Sequence, residues 1–255
     1  MKIIKSIIVA FSMYSRIPMP RFEWEGEDMK YHLIFFPWIG AVIALVQYLW
    51  FLFCNYFEVA HIVFTLIVAA IPLIITGGFH LDGYMDVNDA LASYQSKERH
   101  LEILEDPHIG AFSVIKVCIY GLLLIAGIYS MDDRGFLAWI FMFFIARAVS
   151  GICVIRYKKA KAAGILNTEA KTADDRIVLF FLALQIVIAV VVAGALFQYR
   201  FTACLMALLI AVIYYRYTAY SKFGGVTGDL AGWFVCNAEL LSAVFVALFT
   251  ILLKV

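Results

Sequence analysis

The sequence carries little charge. Of its 255 residues only 15% are Asp, Glu, Lys or Arg, whereas 64% are hydrophobic, and a soluble domain of this length would carry about a quarter charged residues. The 20 basic and 19 acidic side chains nearly cancel and leave a net charge of +1, so nothing in the charge balance points to nucleic acid as a partner. The composition excludes an ordinary soluble domain and predicts a protein embedded in a membrane.

Cysteine is also scarce. The five cysteines, Cys54, Cys118, Cys153, Cys204 and Cys236, are scattered and form no CxxC pair. Neither a disulfide framework nor a zinc site is supported by this spacing. Internal repeats, low-complexity tracts and signs of a second domain are missing as well, so we expect one domain over residues 1–255.

Long stretches without charge follow one another along the chain. A helix needs roughly 18 or more apolar residues to cross about 30 Å of hydrocarbon. Stretches of this kind lie at residues 33–56, 60–76, 109–130, 135–155, 177–198, 201–221 and 237–254. Only helices or closed barrels satisfy every backbone group in lipid, and the alternation expected of barrel strands is missing. The sequence therefore predicts an all-α, polytopic membrane bundle of about seven transmembrane helices.

Residues 1–20 predict an additional helix that lies in the membrane interface. One side of a helical projection carries Ile3, Ile4, Ile7, Ile8 and Phe11, and the other carries mostly Lys2, Lys5, Ser12 and Arg16. This pattern is typical of interfacial helices. The apolar part is too short for a signal peptide and no small-residue cleavage site follows it. We expect Pro18 and Pro20 to end this helix.

Lysine and arginine are distributed unequally between the connecting segments. The N-terminal segment and the segments 77–108, 156–176 and 222–236 hold most of them, whereas the alternate set holds only Arg134, Arg200 and Lys254. Cytoplasmic segments carry the excess of basic residues in membrane proteins. The sequence therefore predicts a cytoplasmic N-terminus, an external C-terminus and a cytoplasmic location for segment 77–108.

The stretch GGFHLDGYMDVNDAL, residues 77–91, gathers three carboxylates in a chain that is otherwise apolar. Asp82, Asp86 and Asp89 have the spacing i, i+4, i+7, which places them on one helical face where like charges repel. Their oxygens suit Mg²⁺ or Mn²⁺, which binds through carboxylates plus substrate phosphates. The alternative is a solvated acidic loop. Gly77, Gly78 and Gly83 argue against this alternative, because a plain loop does not need glycines that let another part of the backbone approach closely. Two interpretations of His80 stay open: it could take part in the active site, or it could only form a hydrogen bond near the membrane interface.

Two further groups of polar residues lie where predicted spans meet the same side of the membrane. Asp106 and His108 stand at the start of the third span, and Lys116 lies one turn inside it. Arg156 follows the fourth span, in a basic segment that could serve an anionic lipid or an anionic substrate. We expect these residues to bind substrate.

A third group runs into the last span. Asp229, Gly232, Cys236 and Glu239 follow one another at spacings of three or four residues and share one helical face. Carboxylates within the membrane are costly and are functional candidates by default. The alternative is a helix-capping Asp229 with Glu239 at the interface. Glu239 and Gly228, the latter next to Asp229, are further substrate-binding candidates.

Taken together these stretches resemble the adenosylcobinamide-GDP ribazoletransferase family, the bacterial cobalamin (5′-phosphate) synthases. GGFHLDGYMDVNDAL resembles the H-L-D-G-x-x-D-x-x-D signature of that family, DPHIGAF its D-x-x-x-G-A-F segment and GGVTGDLAG its G-x-T-G-D-x-x-G segment. FSMYSRIPMP and FFPWIGAVIA resemble family segments nearer the N-terminus, so the likeness runs nearly the whole length. Two positions depart from the pattern, namely Ser113, where glycine is common, and Cys236, where many members carry an acid.

The resemblance implies the last step of cobamide nucleotide-loop assembly in the bacterial inner membrane. A hydroxyl of α-ribazole, or of its 5′-phosphate, attacks the cobinamide-linked phosphorus of adenosylcobinamide-GDP. GMP leaves, adenosylcobalamin or its phosphate forms, and Mg²⁺ is required. The number of subunits stays open, a homo-oligomer included.

We combine this resemblance with the residue patterns to assign roles. The carboxylates at positions 82, 86 and 89 would hold the metal, and Asp82 would also be catalytic. Asp229 would complete the metal sphere or act as the base toward the ribazole hydroxyl. His80 and Lys116 would contact phosphate or stabilise its developing charge.

Two other functions compete with this interpretation. The CDP-alcohol phosphotransferases also hold metal with spaced aspartates, but their signature has Ala-Arg after the Asp-Gly, whereas Tyr84, Met85 and Asp86 follow Gly83 here. A cation-coupled transporter would place its aspartates near mid-membrane on broken helices. The acids of this chain lie instead in a polar segment of about thirty residues between two predicted spans.

Overall fold

The computed structural model describes residues 2–20, 23, 28–160 and 175–253. The helices are α1 (Lys2–Tyr14), α2 (His32–Tyr56), α3 (His61–Thr76), α4 (Phe79–Ala92), α5 (Lys97–Ile103), α6 (Ala111–Tyr129), α7 (Asp133–Trp139), α8 (Phe141–Arg156), α9 (Asp175–Phe197), α10 (Tyr199–Thr218), a π-helical turn (Ala219–Phe223) and α11 (Gly228–Leu253). In these ranges the only pairing of β type is one isolated bridge between Lys159 and Val226. The predicted all-α fold is confirmed.

The predicted spans correspond to helices of the structure. Six helical stretches are long and apolar enough to cross a membrane, namely α2, α6, the continuous pair α7–α8, α9, α10 with its π-helical turn, and α11. The remaining predicted span is α3, which is shorter and is followed after a sharp bend by α4. Large apolar side chains such as Leu122, Val191 and Leu252 point outward from the spans, as expected of surfaces that lipid covers.

Two predicted boundaries were wrong. The last helix begins at Gly228 rather than near residue 237, so much of the segment 222–236 is helical instead of a loop. Thr227 starts this helix, because its Oγ1 accepts a hydrogen bond from the Leu230 N–H at 3.2 Å, as an N-cap residue does. At the other end of the chain, α1 ends at Tyr14, before either of the prolines expected to end it. The location of α1 in a membrane interface stays a prediction.

Successive spans alternate in direction, so their ends meet in two layers. At one end the Val226 N–H donates to Lys158 O at 2.8 Å, which joins the segment after α8 to the segment before α11. At the opposite end Arg200 Nη2 lies 2.5 Å from Asp132 Oδ2 and joins α10 to the residues before α7. The described parts of the segments predicted to share one side of the membrane therefore lie at the same end of the bundle, whereas residues 21–22, 24–27 and 161–174 of these segments lie outside the described residues. Which side of the membrane that end faces stays a prediction.

Small residues let the central helices approach closely. A Cβ atom on Gly40 of α2 would overlap the backbone of Phe143 in α8, and one on Gly127 of α6 would lie 3.2 Å from Ala243 in α11. Helix contacts in membranes use small residues in this way because packing, rather than exclusion of water, drives association there. These contacts fix the frame that carries the polar end of the bundle.

Candidate active site

The chain turns sharply between α3 and α4. Gly77 and Gly78 have positive φ angles of 66° and 83°, which residues with a side chain rarely adopt, and the two helices are bent by 94°. Thr76 steadies the turn, since its Oγ1 accepts a hydrogen bond from the Gly78 N–H at 3.3 Å. The turn directs α4 across the polar end of the bundle, away from the line of α3.

Helix α4 packs tightly against the first turns of α11. A Cβ atom on Gly83 would lie 2.8 Å from both Cα and O of Asp229. One turn further along α11, a Cβ atom on Gly232 would lie 3.1 Å from the backbone oxygen of His80. Glycine at both positions allows the two backbones to touch, and the crossing brings Asp229 beside the acidic face of α4.

The carboxylates of α4 and α11 act on one another. Asp82, Asp86 and Asp89 lie on one continuous helix with the predicted spacing. Burial of the Asp86 carboxyl is the largest cause of a pKa raised to about 6, and the remaining causes are the negative charges of Asp82, Asp229 and Asp89. We call these four residues the carboxylate cluster. The structure thus brings together the three predicted metal ligands and Asp229.

The N-terminus of α6 meets the far end of the acidic face. A Cβ atom on Gly110 would overlap the carboxylate group of Asp89, so glycine is the residue that leaves room for it. No side chain caps the start of α6, and a negative charge is favourable near the N-terminus of a helix. Asp89 is therefore the member of the carboxylate cluster that lies next to the start of α6.

Asp106 and His108 precede α6 and pair with each other. Asp106 Oδ1 accepts a hydrogen bond from the His108 N–H at 2.9 Å and lies 2.7 Å from His108 Nδ1. These hydrogen bonds are the main causes that lower the pKa of Asp106. Lys116 is exposed on α6 and makes no hydrogen bond or ion pair with the part of the chain that the structure describes. All three predicted substrate contacts lie at the polar end, and their role stays a prediction.

Arg156 and Gly228 lie at the same polar end. Arg156 is the last residue of α8, is exposed and has no hydrogen-bonding or ionic partner within the described ranges. Gly228 begins α11, and nothing lies within 4 Å of a Cβ atom built on it. Packing therefore does not require glycine at position 228, and its predicted contact with substrate is untested.

His80 lies in the first turn of α4 and is only 5% exposed. Its Nδ1 atom has no hydrogen-bond partner among the described residues, and its ring lies 5.6 Å from the ring of Phe36 between centroids. Burial, followed by the positive charge of Arg147, lowers the pKa of His80 well below its usual value. The imidazole is therefore neutral near pH 7.

Glu239 forms a buried ion pair inside the bundle. Arg147 Nη1 donates to Glu239 Oε1 at 2.7 Å and to Phe143 O at 2.8 Å. Trp139 Nε1 donates to the backbone oxygen of Glu239 at 2.9 Å. The carboxylate that sequence analysis assigned to substrate binding is thus paired with an arginine, and its contact with substrate stays a prediction.

Comparisons with known proteins assign a family to this chain. The family model described as cobalamin-5-phosphate synthase matches residues 6–247. The chain belongs to the cobalamin-5-phosphate synthase family. A protein of Lachnoclostridium phytofermentans named adenosylcobinamide-GDP ribazoletransferase is 39% identical over 248 residues, which cover 97% of this chain and 95% of that protein. A protein of the same name from Clostridium botulinum strain Alaska E43 is 31% identical over 251 residues, covering 96% and 98%. No solved structure matches the chain.

The carboxylate cluster has the donor chemistry of a Mg²⁺ site. Among the described residues no three or more His, Cys, Asp or Glu side chains are arranged to hold a metal ion. Mg²⁺ commonly binds through one or two carboxylates and keeps waters and substrate phosphates as its other ligands. The raised pKa of Asp86 reflects burial and neighbouring negative charge, and a cation would neutralise that charge. The donor chemistry of these carboxylates suits Mg²⁺ with water and phosphate as its other ligands, and Mg²⁺ binding by this chain stays a prediction.

Two arginines of this chain received no role from the sequence analysis. Arg147 lies in a predicted span, and ionisable residues within a membrane usually pair with one another. Its partner Glu239 is 92 residues away in the chain, so the sequence alone does not identify which residue pairs with Arg147. Arg16 belongs to the stretch FSMYSRIPMP, which resembles a family segment near the N-terminus. The backbone N–H of Arg16 donates to Ile75 O at 2.8 Å. Its side chain lies against Gly77, at the turn into α4.

Proposed function

We propose that this protein is an adenosylcobinamide-GDP ribazoletransferase. A hydroxyl oxygen of α-ribazole, or of its 5′-phosphate, forms a bond to the phosphorus attached to cobinamide. The bond from that phosphorus to the GMP oxygen breaks, and adenosylcobalamin or its 5′-phosphate results. The family match over nearly the whole chain and the printed name of its relatives support this reaction.

We place the reaction at the carboxylate cluster. The observation that carries this placement is the close contact of α4 with α11, where a Cβ atom on Gly83 would lie 2.8 Å from Cα and O of Asp229. The contact brings Asp229 beside the acidic face of α4, and the raised pKa of Asp86, caused by burial and by the three neighbouring carboxylates, agrees with it. Asp82, Asp86 and Asp89 would hold Mg²⁺, with Asp229 as a fourth oxygen donor or as the base. Bound there, the ion would neutralise charge on a diphosphate and on the departing phosphate.

The remaining roles belong to side chains around the cluster. If Asp229 acts as the base, its carboxylate takes the proton of the attacking hydroxyl. His80 is neutral and can donate one hydrogen bond to a phosphate oxygen. Lys116 and Arg156 are exposed cations at the same end and would attract the negatively charged substrate. They would also stabilise the negative charge that develops during the transfer, which is usually the largest single contribution to catalysis of this kind.

We further propose that the polar end faces the cytoplasm of a bacterial cell and that the protein lies in the inner membrane. The support is the excess of lysine and arginine in the predicted cytoplasmic segments of the sequence, whose described parts lie at this end. Reporter fusions within the segment 93–96 test the orientation. A periplasmic location of that segment would contradict it.

The reaction is tested with membranes that contain the parent protein or a variant. Incubation with adenosylcobinamide-GDP and α-ribazole should release GMP and form the corrinoid product, and a chelator should stop both until Mg²⁺ is restored. Asp82→Asn and Asp86→Asn should reduce turnover at least about a hundredfold at unchanged protein level, because each removes a charge that would hold the ion.

The matched control is Glu102→Gln. Glu102 is an exposed acid of α5 that pairs with Arg99 at 2.6 Å, so it lies in the same polar segment but is not one of the carboxylates that perturb Asp86. This variant should keep the activity of the parent. Turnover of Asp82→Asn within a few-fold of the parent would remove the metal assignment, and absence of GMP release by the parent would refute the function.

A further inference from the structure

A crevice enters the helix bundle beside the carboxylate cluster. Its volume is about 380 Å³ when the open space at its mouth is included. Five parts of the fold, α3, α4, α6, the α7–α8 pair and α11, supply its walls, and its polar lining includes His80, Arg147 and Glu239. The crevice therefore connects the first turn of α4 with the ion pair inside the bundle.

Two buried nitrogen atoms in this lining have unmet hydrogen-bonding capacity. Arg147 Nε and His80 Nδ1 have no partner among the described residues, although their side chains are only 1% and 5% exposed. Buried polar groups are usually satisfied because an unmade hydrogen bond is costly. The Nε–H of arginine can only donate. A water molecule that accepts from Arg147 and also bonds to His80 would satisfy both atoms.

The ion pair joins α8 to α11 and fixes the position of one helix along the axis of the other. Arg147 belongs to α8 and Glu239 to α11, and both side chains are almost fully buried. Such a pair adds little to stability because desolvation offsets its attraction, whereas removal of one partner is strongly destabilising. Its geometry, with a second bond from Arg147 to Phe143 O, fixes where α11 lies along α8.

Arg147 contacts Glu239 of α11 and shares the crevice with His80 of α4. These two helices, α4 and α11, also carry the carboxylate cluster. On α11, Asp229 contacts Gly83 of α4, and Gly232 contacts the backbone of His80. A shift of α11 would therefore move Asp229 relative to α4, and a shift of His80 would move the first turn of α4, where Asp82 lies.

We propose that Arg147 is a positioning residue of the active site. One part of its guanidinium group holds Glu239 of α11, and the other holds His80 of α4 through a water molecule bound in the crevice. Arg147 thereby sets the relative position of the two helices that carry the carboxylate cluster. The inference rests on the proposed function for the identity of the reaction, whereas the positioning itself is tested by metal binding.

The test uses detergent-purified full-length protein and Mn²⁺ as the metal probe, followed by electron paramagnetic resonance of the free ion. Arg147→Met should weaken Mn²⁺ binding about tenfold. It should also lower kcat about a hundredfold with little change in KM, because a misplacement of about 1 Å costs that much in catalysis. Mn²⁺ affinity and kcat within twofold of the parent would overturn the proposal.

Arg200→Met is the matched control. Arg200 bonds Asp132 through Nε at 2.9 and 3.0 Å and through Nη2 at 2.5 Å, so it is also an arginine–carboxylate pair that joins two elements, but at the opposite end of the bundle. This variant should lose thermal stability and keep the parent's Mn²⁺ affinity and kcat. Equal losses of Mn²⁺ affinity in the two variants would mean that Arg147 is merely structural, and the proposal would be refuted.

Arg147→Lys decides the question if the methionine variant does not accumulate. A lysine ammonium can pair with Glu239 but places no nitrogen at the Nε position, so the link to His80 is lost while the ion pair is kept. We expect kcat about tenfold below the parent and full accumulation, and an unchanged kcat would overturn the proposal. A parent protein that binds Mn²⁺ and releases no GMP would refute the proposed function alone, since the metal measurements judge the positioning separately.

Discussion

Replacing Gly83 by alanine tests whether the contact between α4 and α11 sets the geometry of the carboxylate cluster. The added Cβ atom would lie 2.8 Å from Cα and O of Asp229, whereas ordinary contacts begin at 3.4 Å. Both atoms belong to the backbone, so no flexible side chain can move aside. The helices must therefore separate by about 0.6 Å, the difference between those two distances.

A separation of this size should affect catalysis more than folding. Misplacement on the order of 1 Å costs about a hundredfold in rate, and we therefore expect Gly83→Ala to lower GMP release by about ten- to a hundredfold. Overpacking typically costs about 1–3 kcal/mol, which should lower the thermal midpoint without preventing accumulation in the membrane.

The assay is GMP release by membranes with matched protein levels, measured over a range of Mg²⁺ concentrations. Gly194→Ala is the matched control, because this glycine lies within α9 and a Cβ atom there would meet nothing within 4 Å. It should retain full activity. Activity of Gly83→Ala within twofold of the parent would refute the idea that this contact fixes the site.

Three further predictions follow from the same end of the bundle. Gly110→Ala should weaken Mg²⁺ activation, measured as the half-activating concentration, because its Cβ atom would displace the carboxylate of Asp89; an unchanged concentration would count against a metal role for Asp89. Gly77→Ala should lower the thermal midpoint, because φ of 66° is strained for alanine by about 1 kcal/mol, and a parent-like midpoint would show that the turn relaxes freely. Since the pKa of Asp86 is raised to about 6 from about 3.9 in an unfolded chain, the metal-free protein should lose stability as pH rises from about 4 to 6. Added Mg²⁺ should raise the thermal midpoint more at pH 7.5 than at pH 5, and equal shifts at both values would contradict the competition between proton and metal.

Sequence analysis could predict the spans because the membrane imposes a simple rule on composition. An apolar stretch long enough to cross must be helical, and the predicted stretches all became helices. The start of α11 was placed too late because hydropathy does not report where a helix begins. The signal for its start was the capping side chain of Thr227, directly before Gly228 and the acidic Asp229.

Only the part of the candidate site that lies on a single helix could be predicted from the spacing of residues in the sequence. The face shared by Asp82, Asp86 and Asp89 follows from helical periodicity alone. The approach of Asp229 depends on a contact between residues far apart in the chain, and the pairing of Arg147 with Glu239 depends on how α8 and α11 pack. Neither contact leaves a periodic pattern that a single sequence displays.

The order of α4 and α11 along the chain has a consequence for biosynthesis. Helix α4 is made before α11, yet the backbone of α4 at Gly83 and His80 packs against Asp229 and Gly232 of α11. A ribosome-bound chain that has inserted its earlier spans therefore still lacks one side of the catalytic chamber. Competence to process a corrinoid substrate therefore arises only after α11 has entered the bilayer and packed against α4.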